Sequence, residues 1–170
     1  MTVLTVNIAT WLERRLDMSL GYLLPAARLY GIVVNDPLGL IDDLGQAART
    51  SFIDEASDIY DLLVGSAAVL ARSFDAAAIA TVGWASPTNC GDTDIEPSLH
   101  PRRRRVRIVT VVNDEGCASA IRFADDPDRA VAQSDVHEGE LVKALQTMWL
   151  GDGRDLVNSR TTVRGCRHRL

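Results

Sequence analysis

The strongest constraint on what this chain can fold into is the stretch from Arg103 to Phe123, whose pattern is that of a β-hairpin. Arg103–Asn113 reads Arg-Arg-Arg-Val-Arg-Ile-Val-Thr-Val-Val-Asn. Successive strand side chains point to opposite faces. One parity carries Val106, Ile108, Thr110 and Val112 and faces a core. The other carries Arg105, Arg107, Val109 and Val111, beginning wet and ending covered. Asn113-Asp114-Glu115-Gly116 then supplies a turn whose last residue accepts positive φ without steric cost. The return strand, Cys117 to Phe123, stops at Ala124-Asp125-Asp126-Pro127-Asp128, because proline cannot donate to a ladder.

A third strand precedes the hairpin. Ala76 to Ala85 is an uninterrupted apolar run closed by Ser86-Pro87, as expected of a strand buried on both faces. Gly83 and the Val, Thr and Trp content disfavour a helix there.

Helices are read on either side. Ile8, Trp11, Leu12, Leu16 and Leu20 fall at helical spacing, with Glu13, Arg14, Arg15 and Asp17 assigned to the opposite face. The helix ends near Ser19, a second short one covers Pro25 to Tyr30, and Gly31 to Asn35 is an extended connector. Asp36-Pro37 signals a further helix start, running to about Arg49. Thr50 or Ser51 caps a longer helix, Ser51–Arg72, with Ile53, Ala56, Tyr60, Leu63, Ala67 and Leu70 as its apolar series. After the hairpin, 130–139 reads as polar loop. Glu140–Leu150 is an amphipathic helix with Leu141, Val142, Leu145, Met148 and Trp149 on one face.

The resulting expectation is an α+β domain: N-terminal helices, a three-stranded antiparallel meander, and a C-terminal helix packed with Ser51–Arg72 on one sheet face. Residues 1–151 form the domain and 152–170 a loosely ordered tail. A chain of 170 residues can bury a substantial core. Lysine occurs once, at Lys143, beside 17 arginines (18 basic residues less one). That bias is what a GC-rich genome of the actinobacterial or phage kind produces, and it carries no mechanism.

Function classes narrow by exclusion. A net charge of −5 argues against a protein devoted to nucleic acid. Cys90, Cys117 and Cys166 are odd in number and lack metal spacing, so neither a disulfide framework nor a zinc site is expected. No signal peptide or membrane span is read, which points to the cytoplasm. No phosphate loop, nucleophile elbow or zinc-protease motif occurs, and no cofactor is expected.

The most unusual local feature is His100-Pro101-Arg102-Arg103-Arg104-Arg105 with Arg107. Guanidinium forks match phosphate oxygens, so Arg102, Arg103, Arg104, Arg105 and Arg107, with His100 and Trp84, are the candidate ligand-binding residues. The competing reading is a solvated strand entry pairing with Asp92, Asp94 and Glu96 or with Asp125, Asp126 and Asp128. It is preferred here, because nucleic-acid surfaces add aromatics for stacking. Gly83-Trp84 either lines a groove or plugs the core edge, and the plug is preferred. Asp92, Asp94 and Glu96 lack the glycine and distal glutamate of a calcium loop. A third reading is a small enzyme whose site lies in the 86–101 loop, with Cys90 as nucleophile and His100 or His137 as base. The expectation that ranks first is a non-catalytic interaction or regulatory protein. It acts through homo-oligomerisation or a protein partner, since a three-stranded sheet leaves two edges.

Overall fold

The computed structural model describes residues 3–21, 24–35, 48–86, 98–134, 140–150 and 168–169. In chain order the elements are α1 (Val3–Leu20), β1 (Ala27–Val34), β2 (Ala48–Ala56), α2 (Ile59–Ser73), β3 (Ala76–Ser86), β4 (Arg104–Asn113), β5 (Gly116–Phe123), β6 (Asp126–Ser134), α3 (Glu140–Trp149) and the short β7 (His168–Arg169). Six strands form one antiparallel sheet in the order β2-β1-β3-β4-β5-β6, and β7 pairs parallel with the end of β3.

The hairpin forms where the alternation placed it. Val106 to Asn113 pair with Phe123 to Gly116. Asn113 Oδ1 accepts from the backbone N–H of Glu115 and of Gly116, both at 3.0 Å. Gly116 sits at φ 154°, a conformation that suits glycine. Ala76–Ser86 is the long apolar strand, paired to β4 from Ala77↔Val112 to Ala85↔Arg104.

Helices cover both faces of the sheet. On one face α1 packs against β4, β5 and β6. Ile8, Ala9, Leu12 and Leu16 meet Tyr30, Ile32, Ala78, Ala80, Val109, Val111 and Ala120 there. On the other face α2 and α3 bring Ile59, Leu62, Leu63, Leu70, Leu141, Leu145 and Met148 against Leu29, Ala77, Ile79, Val112 and Cys117. Burial on both faces explains why β3 and β4 read as nearly continuous apolar runs. Trp149 Nε1 donates to Asp114 Oδ1 at 2.8 Å, fastening α3 to the β4–β5 turn.

The three-stranded meander with helices on one face was too coarse a reading, and three of its assignments change. Residues 27–34 are strand β1, where a short helix and a connector were expected. Gly31 reads as a break in the sequence, but it lies mid-strand because Phe74 packs over it: a Cβ there would fall 2.5 Å from the Phe74 ring. Residues 51–56 belong to β2, and the helix begins only at Ile59. Asp58 is its cap, extended at φ −102° and ψ 118°, accepting from Tyr60 N. Ile53 and Ala56 still pack against the same cluster as α2, from the neighbouring strand. Finally, Asp126–Ser134 is edge strand β6, entered by a tight turn at Ala124 and Asp125. Pro127 is tolerated because an edge strand has one unpaired side. The expected helix from Pro37 to about Arg49 lies outside the described residues except at its end, where Ala48 and Arg49 open β2, and most of the tail lies outside them too.

Candidate functional site

The arginine cluster divides in the structure according to the strand face each side chain occupies. Arg107 lies on the α1 face with Val109 and Val111 and is fully buried. Its Nη2 donates to Glu13 Oε1 at 2.6 Å and to Asp17 Oδ1 at 2.8 Å, and its Nη1 to the Gly21 carbonyl at the end of α1. Arg122, its cross-strand neighbour, donates from Nε and Nη2 to the two oxygens of Glu13, both at 2.7 Å, and from Nη1 to the Pro127 carbonyl. Glu13 is itself completely buried. Its hydrogen bonds hold the Arg122 guanidinium above its ordinary pKa. Two carboxylates thus face two guanidinium groups between α1 and the sheet.

This network overturns the placing of Glu13 and Asp17 on the solvated side of α1. Thr5, Ala9, Glu13 and Asp17 are spaced by four residues, one row of a helix surface, and Thr5, Ala9 and Glu13 are all buried. The signal available in the sequence was parity. Arg107 shares a face with Val109 and Val111, and Arg122 with Ala118 and Ala120, so buried cations there require buried acids.

Arg104 points to the opposite face. Its guanidinium grips Asp125, with Nε–Oδ2 at 2.9 Å and Nη2–Oδ1 at 2.5 Å, and lies 3.8 Å from the centre of the Phe123 ring. The hydrogen bond with Arg104 holds the Asp125 carboxyl below the usual range. This is one of the pairings expected for a solvated strand entry.

Arg103 and Arg105 are exposed, and each guanidinium carbon lies 5.0 Å from the centre of the Trp84 indole. Trp84 is the cross-strand partner of Arg105. Among the described residues no carboxylate lies within ion-pair distance of either arginine. Arg105 sits two residues before Arg107 on the same face, and Arg107 already meets the last carbonyl of the α1 turn. Trp84, Arg103 and Arg105 therefore occupy a ledge of sheet beyond the end of the helix. The fold also brings His168 and Arg169 of β7 alongside Ala85 and Ser86 at this end of β3.

His100 serves the loop into β4. It is 1% exposed, its Nδ1 accepts from Arg102 N at 3.0 Å, and its carbonyl accepts from Arg103 N at 3.1 Å. Cys117 is a buried free thiol whose sulfur accepts from Gln146 Nε2 at 3.4 Å. Cys90, Cys166, His137, Asp92, Asp94 and Glu96 lie outside the described residues. Among the described residues no three His, Cys, Asp or Glu side chains gather as a metal site. No helix among them is long and apolar enough to cross a membrane.

A second exposed feature lies at the far edge of the sheet. β2 carries Phe52, 55% exposed, whose ring meets Tyr30 edge-on with centroids 6.0 Å apart and lies 5.9 Å from the Arg28 guanidinium. Its register with β1 passes from Tyr30↔Phe52 to Leu29↔Asp54, so Ile53 is the extra residue of a bulge. Phe52 stands out in no periodicity, and only its place on an edge strand singles it out. No protein-family model matches the chain, and no curated protein or solved structure matches it either.

Proposed function

We propose that the protein is a non-catalytic interaction module that works by protein–protein assembly, and that its β2 edge pairs with β2 of a second copy. The observation that carries this reading is the exposed Phe52 on a nine-residue edge strand. Unpaired strand edges template pairing with another chain, and an exposed aromatic adds apolar area to the contact.

The charges of β2 suit self-pairing. With the bulged residues Ile53 and Asp54 counted as one position, an antiparallel pairing about Ser51 sets Arg49 opposite Asp54 of the second copy on one sheet face. On the other face it sets Phe52 opposite Thr50. Arg49 and Asp54 are both exposed, and opposite charges across a strand pair favour it by roughly 0.2–1 kcal/mol. Two such contacts arise by symmetry, as in any isologous interface.

Native mass spectrometry of the purified full chain tests this. The expected result is a dimer that F52K converts to monomer with unchanged circular dichroism. A monomer for the unaltered chain at tens of micromolar would overturn the reading, as would a dimer that F52K leaves intact.

A further inference from the structure

Beyond assembly, we propose that Trp84, Arg103 and Arg105 form a binding site for a small phosphorylated anion of the di- or triphosphate class. Three observations meet there. First, the structure neutralises the other cations of the strand entry for which it shows carboxylate partners: Arg107 against Glu13 and Asp17, and Arg104 against Asp125. Arg103 and Arg105 have no carboxylate partner among the described residues, in a protein whose net charge is −5. Second, both lie 5.0 Å from one indole centre, so their guanidinium carbons are at most 10 Å apart, twice that distance. Guanidinium groups within that bound can each reach a phosphoryl oxygen of one short ligand.

Third, Trp84 restrains the two side chains. Arginine loses considerable rotamer freedom when it is ordered by a ligand. Contact with the half-buried indole removes part of that cost beforehand, which is preorganisation. A guanidinium held over a ring still directs its N–H donors outward in its own plane, where a phosphoryl oxygen can accept two in fork geometry. Trp84 is fixed from the strand side, since Gly83 and Ala85 are held in register with Val106 and Arg104.

The size of the site selects the ligand. Two arginines with no carboxylate partner among the described residues match two phosphoryl groups, whereas a nucleic-acid strand needs basic residues spread over a face.

The test is titration of the full chain with inorganic tripolyphosphate at low salt, followed by tryptophan fluorescence and calorimetry. A saturable fluorescence change is expected, abolished in W84F because Trp11 and Trp149, the other two tryptophans, lie elsewhere. R103A/R105A should weaken binding on the order of 100-fold, as for the loss of two charge-assisted contacts. R104A, whose partner is Asp125 on the other face, should change it less than about twofold. ATP in place of tripolyphosphate separates phosphate recognition alone (equal affinity) from added stacking of a base (tighter binding), and either outcome upholds the site. Three results would overturn it: no saturable binding, equal weakening by R104A, or a single-stranded RNA 12-mer that binds far more tightly with a steeper salt dependence than two phosphate contacts produce. The arginines are exposed, so unchanged circular dichroism of the variants separates lost binding from lost fold.

Discussion

Glu13 shows how much a single side chain's surroundings decide. A carboxylate with no exposure carries the hydrogen bonds of two guanidinium groups. Desolvating such ions costs several kcal/mol each, and mutual attraction restores that only with good geometry. Removing one partner is therefore worse than removing them all. E13A should destabilise the fold by about 3–5 kcal/mol in urea unfolding, since Asp17 is then the one carboxylate left to Arg107 and Arg122 among the described residues. The triple variant E13L/R107M/R122L should recover most of that loss. If E13A unfolds within about 1 kcal/mol of the parent, the network does not hold α1 to the sheet. Arg104 and Asp125, both exposed, contribute little by comparison.

At the scale of elements, the hairpin, the apolar strand β3 and the α3 helix were legible because local pattern and tertiary burial agree there. Strand β1 was not. A short helix over Pro25 to Tyr30 and a connector from Gly31 are what the sequence suggests, yet Gly31 is where the Phe74 ring at the end of α2 lies against the β1 backbone. G31A would press a methyl group into that ring. The expected cost is about 1–3 kcal/mol, and F74A in the same chain should relieve the clash, making the pair of changes less than additive in a double-mutant cycle. Full additivity would mean the two residues do not touch. The start of α2 was misplaced for a related reason. Ser51 with Asp54 has the spacing of a cap, but Asp58 is the residue whose carboxylate accepts from the helix N-terminus. Ile53 and Ala56 continue the apolar series only because β2 and α2 bury residues in the same cluster.

For the molecule as a whole, the strand order places β1, β3, β4 and β5 inside the sheet and leaves β2 and β6 at its edges. Amides of β3 and β4, paired on both sides and covered by helices on both faces, should exchange slowest. In a β2-paired dimer the β2 amides directed away from β1 should be protected as well, and F52K should restore their fast exchange. Fast exchange of those amides in the unaltered chain would place the second copy elsewhere.

The candidate site divides along the same line between near and far in the chain. Arginines 102–105 stand out in the sequence, and so does the absence of stacking aromatics beside them. Trp84 lies about 20 residues away along the chain and reaches Arg103 and Arg105 only through the β3–β4 register. The sequence by itself determined the α+β class, the hairpin with its Asn113–Gly116 turn, and the strand and helix flanking it, because alternation and amphipathic spacing are local properties. Tertiary structure decided which arginines meet carboxylates, which strands become edges, and that Phe52 is exposed. Those outcomes depend on what crosses the chain to meet each side chain, and burial of a charge is settled by the partner it finds.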